Sequence, residues 1–328
     1  MSTRTVYLTG ATGFIGGVLA RRLAARGDRL RCLVRNPERA KELQKLGAEL
    51  IVGDVSDQAA HERGMKDCSL AYHVAGMYDV GAVDANALES ANVAGTAAFI
   101  EAMERTSLPR AIYVSSTVAL GPVANGISDR VVEYDGPYPT VYHRTKAEAH
   151  RIARAAQERG DPLIIACPAF VYGPRDEGPV GRFVNDIVRG KLPGLLTQSG
   201  WFSFVYVDDV AAALDLMGEH GTVGKIYVLG GETAQLNTFA ARTANIAGKR
   251  LPLMRFPPAM AAGTGAVLDA LTRLTGKRFV ITRESVSSTA YGRWLHSYEP
   301  AMRDLNWHPR SLEEGLRETV RWFQQKRA

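Results

Sequence analysis

A doubly wound α/β fold, a parallel sheet with helices on both faces and a smaller C-terminal lobe, is what three observations in this 328-residue chain predict. Short runs of β-branched and aromatic residues alternate with segments of helical period. A glycine-rich turn, Thr9-Gly10-Ala11-Thr12-Gly13-Phe14-Ile15-Gly16, joins the first such run to the first helix. Polar side chains gather where strands end, which is where open parallel sheets bind ligands.

Val6-Tyr7-Leu8 reads as a short buried strand, and Phe14 to about Arg26 as a helix with Ile15, Leu19 and Leu23 along one face. Between them Gly10 permits a tight turn, Gly13 lets backbone approach a pyrophosphate, and Gly16 lets the helix pack on the sheet. The helix start adds free N–H groups and a positive dipole end. Gly10, Thr12, Gly13, Phe14, Ile15 and Gly16 are therefore candidate dinucleotide-binding residues. The spacing is G-x-x-G-x-x-G rather than the commoner G-x-G-x-x-G, and its place between strand and helix carries the argument.

The second strand, Leu30 to Val34, ends without the carboxylate that would hold the ribose 2′-OH of NAD. Arg35 follows it and is suited to pair a 2′-phosphate, so NADP is expected over NAD. The third strand, Glu49 to Val52, delivers Asp54 as a candidate acceptor for an adenine amino group, and Asp57 as the N-cap of the next helix. The fourth, Leu70 to Val74, ends at Ala75-Gly76, small residues that let backbone pass under a cofactor. His73 is expected to be a half-buried strand residue without catalytic duty.

A long helix is expected from about Ala85 to Thr106, including Asn92. The fifth strand, Ala111 to Val114, releases Ser115-Ser116-Thr117, a plain turn or a set of hydroxyls for a substrate carbonyl. Tyr142 and Lys146 then lie one helical turn apart on a helix reaching about Glu158, which brings the ammonium near the phenol. A tyrosine of pKa about 10 is a poor acid–base catalyst at neutral pH, and a nearby positive charge favours its phenolate.

Glycine turn, serine after the fifth strand, and Tyr-x-x-x-Lys on the next helix occur in that order. In this the chain resembles the extended short-chain dehydrogenase/reductase superfamily, from Thr5 to about Phe323. Pro168 to Pro174 is similar to that branch's loop after strand six, Phe204 to Ala211 to its substrate-domain signature, and Leu305 to Pro309 with Ser311 to Gly315 to its C-terminal helix entry. Val34-Arg35-Asn36-Pro37 resembles the Val-Arg-Asp-Pro of the dihydroflavonol reductase and cinnamoyl-CoA reductase group and its bacterial relatives. Two departures, Cys167 before the proline and Val74-Ala75-Gly76 where Ala-Ala is commoner, bear on substrate contacts. Thr117-Val118, where the 4,6-dehydratases carry Asp-Glu, argues against dehydration. The resemblance implies Ser116, Tyr142 and Lys146 as catalytic residues. It also implies Val55, Val74, Ala75, Gly76, Pro168, Phe170 and Val171, with Tyr142 and Lys146, in cofactor binding.

The implied activity is NADP-dependent hydride transfer to a ketone or aldehyde of a small organic substrate. NAD-dependent nucleotide-sugar epimerisation, oxidation of a hydroxysteroid-type alcohol and non-catalytic dinucleotide sensing stand as alternatives. Residues 1–165 are expected to form the dinucleotide domain, with the sheet revisited near 205–230 and residues 166–328 mainly a substrate lobe. Met77, Tyr78, Phe170, Arg175, Phe183 and Trp201 are candidate pocket residues. Three scattered cysteines, Cys32, Cys68 and Cys167, have no metal spacing and suggest reduced thiols in the cytoplasm. The first strand is expected to leave no room before it for a signal peptide. Residues 259–274 are too short and too charged to span a bilayer, and are read as a helix beside the substrate pocket. The net charge of +6 carries no basic tract, so neither nucleic acid nor membrane is an expected partner, and a homodimer is left open.

Overall fold

The computed structural model describes residues 4–78, 84–129, 131, 133–275 and 282–326. Its first half runs Thr5–Thr9 (β1), Phe14–Ala25 (α1), Arg29–Val34 (β2), Lys41–Lys45 (α2), Glu49–Val52 (β3), Gln58–Met65 (α3) and Leu70–His73 (β4). Ala85–Leu88 (α4) and Gly95–Arg105 (α5) are joined by a π-helical stretch, Glu89–Ala94, followed by Ala111–Val114 (β5), Val141–Glu158 (α6) and Leu163–Pro168 (β6). The helix expected over 85–106 is thus interrupted by a wider turn at Asn92. The second half runs Phe170–Tyr172 (β7), Pro179–Arg189 (α7), Leu195–Leu196 (β8), Trp201–Tyr206 (β9), Val207–His220 (α8), Ile226–Leu229 (β10) and Glu232–Gln235 (β11). Leu236–Ile246 (α9), Arg255–Phe256 (β12), Pro258–Thr275 (α10), Arg283–Thr289 (α11), Arg293–Trp294 (β13), Glu299–Leu305 (α12) and Leu312–Gln325 (α13) complete it.

Seven strands form one parallel sheet in the order β10-β6-β5-β4-β1-β2-β3. Strand order reverses between β1 and β4, and a crevice outside their C-terminal ends follows from that reversal. One face is covered by α1, α8 and α12 through Leu19, Leu23, Val210, Leu214, Met217 and Leu305. The other is covered by α3, α5 and α6 through Met65, Phe99, Met103, Ala149 and Ala153. Burying a leucine fully contributes about 1.5–3 kcal/mol, so these two layers hold the strand ends in place.

A smaller sheet, β11-β9-β13, also receives β7, which pairs β9 at Phe204 to Tyr206 while β13 pairs it at Trp201 and Phe202. Helices α7, α9 and α13 pack against it around Phe204 and Phe239. The C-terminal segment is fastened to α8 by Asp209. Its carboxylate accepts from Arg310 N and Nε at 3.0 and 3.1 Å, and its carbonyl accepts from Trp307 Nε1 at 2.9 Å. Ser311 and Glu314 form a capping box at the start of α13. No helix of the described residues is long and apolar enough to cross a membrane.

Candidate active site

The glycine turn is built for a backbone-lined cradle. Gly10 takes φ +72°, and a Cβ there would lie 2.6 Å from Ala75 N, so the turn sits directly on the end of β4. A Cβ on Gly16 would lie 2.2 Å from Gly10 O, whereas one on Gly13 would meet only Gly10 O, at 3.1 Å. Gly13 is the N-cap of α1, and no side chain caps it. The first-turn N–H groups are thus left to a ligand, as a phosphate site requires. Thr9 Oγ1 accepts from Ala75 N at 3.1 Å and pairs with His73 Nδ1 at 3.0 Å, fixing β4 against β1. His73 is fully buried rather than half-buried, because Phe99 and Tyr113 cover its ring.

Beyond β5 the two serines separate. Ser115 is buried, with Oγ 2.8 Å from His150 Nδ1. Ser116 is partly exposed and caps a short 3-10 turn, accepting from Val118 N at 3.3 Å. Thr140 caps α6, which carries Tyr142, His143 and Lys146. Burial pushes the Tyr142 phenol up to about 12, and its hydrogen bond with Ser116 acts the other way. Burial pulls Lys146 down to about 8. Lys146 Nζ donates to Val114 O at 3.0 Å and lies 5.4 Å from the Tyr113 ring centre. A Cβ on Gly76 would lie 3.9 Å from that same Nζ and 3.2 Å from Asn92 Oδ1. From the π-helical stretch, Asn92 accepts from Met77 N at 2.8 Å and donates to Thr145 Oγ1 at 3.1 Å. It ties the loop after β4 to α6.

One cavity of about 760 Å³ joins these parts. Gly10, Thr12, Gly13, Phe14, Ile15 and Gly16 line it, with Val74, Ala75, Gly76, Pro168, Phe170 and Val171, and with Ser116 and Tyr142. Lys146 lies behind the wall, buried. Arg35, Asp54 and Val55 are also outside the wall. Arg35 is exposed and acts electrostatically on Asp54. Burial tends to raise the Asp54 carboxyl, but hydrogen bonds from Ser56 N and Oγ outweigh it and hold the group low. Val55 packs where a Cβ on Gly95 would fall. Asp57 caps α3 as expected, accepting from Ala60 N at 3.1 Å. Of the expected pocket residues, Tyr78, Phe170 and Arg175 line this cavity, Phe183 a smaller one beside it, and Met77 and Trp201 neither.

Several wall residues carry no local signal in the sequence. Arg39 lies in the turn after β2, while Ser288, Thr289 and Trp294 come from a lobe about 150 residues beyond Tyr142. His143 stood in plain view beside Tyr142. Its Nδ1 pairs with Thr140 Oγ1 at 2.7 Å, its ring lies 5.0 Å from Trp294, and burial pulls it down to about 4, so it is neutral at pH 7. Asp176, in the turn after β7, is pushed up by burial to about 6.

The sequence profile of the NAD dependent epimerase/dehydratase family matches residues 6–230. The chain belongs to this family. It is thereby an NAD(P)-dependent oxidoreductase of the extended short-chain dehydrogenase/reductase type. Over 328 residues it is 28% identical to a Synechocystis sp. protein named "Putative dihydroflavonol 4-reductase", covering 97% of this chain and 94% of that one. It is 28% identical over 329 residues to a 2-alkyl-3-oxoalkanoate reductase of Stenotrophomonas maltophilia, covering 95% and 97%. The crystal structure of gox2253 superposes with a TM-score of 0.81 at 30% identity, covering 99% of each chain. Family membership agrees with the cradle: glycines that a Cβ would block, and an uncapped helix start, fit the pyrophosphate of a nicotinamide dinucleotide.

Proposed function

We propose that the protein is an NADP-dependent reductase that converts a ketone or aldehyde of a small organic substrate to its alcohol. The observation that carries this reading is that one cavity is lined both by the glycine cradle and by Ser116 and Tyr142. When bound, the nicotinamide supplies the hydride. The remaining work falls to the chain. Ser116 holds the carbonyl oxygen through its hydroxyl. The phenol of Tyr142, beside Ser116 and protonated at neutral pH, gives its proton to that oxygen as hydride reaches the carbon. Lys146 supplies positive charge behind Tyr142 and a donor for the nicotinamide ribose. Arg35 clamps the 2′-phosphate and gives preference for NADP over NAD. Three buried thiols suit a reducing cytoplasm.

Relatives named as reductases support this assignment over epimerisation. The smaller cavity beside Tyr78 supports it too, because no charged side chain among the described residues lines it, and a nucleotide diphosphate calls for charged partners. The experiment is single-turnover NADPH oxidation with an accepted carbonyl, comparing wild type with Tyr142→Phe. A loss of about 10²–10⁴-fold with nearly unchanged cofactor affinity is expected. Turnover of Tyr142→Phe at the wild-type rate would end the Ser-Tyr-Lys reading.

A further inference from the structure

The main cavity continues into an annex of about 150 Å³ that the reaction as described does not use. The two share Tyr78, Phe170, Val180, Ser288 and Thr289, so the annex opens beside Tyr142, whose ring lies 4.9 Å from that of Tyr78. None of the glycine-turn residues lines it, so it lies away from the phosphate cradle. Its walls come from several separate elements, among them Phe183 of α7, Leu195 and Leu196 of β8, Ala261 of α10 and Val286 of α11. Leu196 packs against the small cluster of Ala261, Val286 and Ala290.

We infer that this annex is the subsite for an uncharged hydrocarbon portion of the substrate, so that the molecule reduced is a carbonyl compound carrying an apolar tail or ring of about six carbons. The inference rests on the proposed reductase chemistry and adds the substrate class to it. Three observations argue for it. The lining is apolar apart from hydroxyls and one amide, and it holds no ion partner, so a charged group would lose its hydration there without an opposite charge to compensate. The Asn237 amide is turned in part to the backbone, its Nδ2 donating to Leu196 O at 3.0 Å. The volume matches that of an apolar protein cavity known to take a benzene-sized guest. Burial of one methylene is worth about fourfold in kcat/KM by the usual transfer scale.

The test is a homologous series of methyl ketones of increasing chain length, read by NADPH oxidation. The melting temperature of the cofactor-free protein with the corresponding alcohols gives a second readout. In wild type, kcat/KM is expected to rise about fourfold per methylene and level off after about six annex carbons. A carboxylate at the chain end should lower it at least tenfold against the equal-length methyl-terminated ketone. Leu196→Trp should fill the annex and bring the ratio of long-chain to short-chain kcat/KM close to one. Leu196→Met should keep most of that ratio. Longer alcohols should raise the melting temperature of wild type more than that of Leu196→Trp. A flat chain-length series in an active wild-type enzyme, or an undiminished ratio in folded Leu196→Trp, would overturn the annex assignment and leave the reductase reading standing. No NADPH oxidation with any carbonyl of any length would instead overturn the reductase reading itself.

Discussion

The ammonium of Lys146 donates to the carbonyl oxygen of Val114 at 3.0 Å, so the lysine is anchored to the end of β5 rather than to the phenol one turn before it. That strand end also releases Ser116. One carbonyl therefore sets the distance between the lysine and the serine–tyrosine pair, and burial already brings the lysine to about 8.

Removing that charge should act on two readouts together. Lys146→Met is expected to weaken cofactor binding and lower turnover. In the direction of alcohol oxidation, where Tyr142 takes up a proton, the pH optimum should move upward, because Ser116 alone is then left to oppose the burial that raises the phenol. Cofactor titration and a pH profile check both. An unmoved optimum with intact cofactor affinity would remove Lys146 from the mechanism.

NADPH should bind more tightly than NADH, and Arg35→Ala should abolish most of the difference. A charge-assisted contact contributes about 1.5–3 kcal/mol, roughly ten- to a hundredfold. Arg39 provides the comparison, since it lines the cavity whereas Arg35 does not. Calorimetric titration of both cofactors into both alanine variants decides between them. If only Arg39→Ala loses the preference, the clamp belongs to the turn after β2 rather than to the strand end.

Two glycines three residues apart should respond oppositely. Gly13→Val is expected to lose cofactor binding with a melting temperature within about 4 °C of wild type. Its Cβ would meet only Gly10 O, at 3.1 Å. Gly16→Ala drives a methyl to 2.2 Å from Gly10 O, a backbone atom, and should cost about 1–3 kcal/mol of stability. Thermal melts with and without cofactor separate the two.

Asp176 should tie stability to pH. Burial holds its carboxyl at about 6, above the ordinary 3.8. The folded state therefore binds more protons than the unfolded one between those values, and this group's contribution is full below pH 3.8 and lost as pH rises through about 6. Asp176→Asn keeps an acceptor for Gly178 N, now 2.7 Å from Oδ1, and removes the buried charge. Its melting temperature should exceed that of wild type by a margin that grows from pH 4 to pH 7, up to the equivalent of about 3 kcal/mol. A margin that shrinks with rising pH would contradict the assignment.

By itself the sequence determined the parallel sheet, the cradle and the family. Val6 to Leu8 must be a strand because it is apolar on both sides, Gly10 takes a left-handed φ that few other residues tolerate, and Tyr142 and Lys146 share a face because four residues make about one turn. These are local rules, and the elements they predict are found close to where they were expected. Only the tertiary structure decided which neighbours those residues meet. The lysine's acceptor, Val114, lies 32 residues away in sequence. Ser115 and Ser116 are alike in composition and both line the cavity, yet His150 of α6 engages the hydroxyl of the first, while the second caps the turn that follows. His73 is fully buried because α5 lays Phe99 on its ring, which no pattern within β4 records. The annex is assembled from elements as distant in sequence as α7, β8, α10 and α11, each ordinary alone. Its lack of charge exists only once Phe183, Leu196, Ala261 and Val286 face one space. Periodicity fixes which face of an element is apolar, and long-range packing fixes what that face encloses.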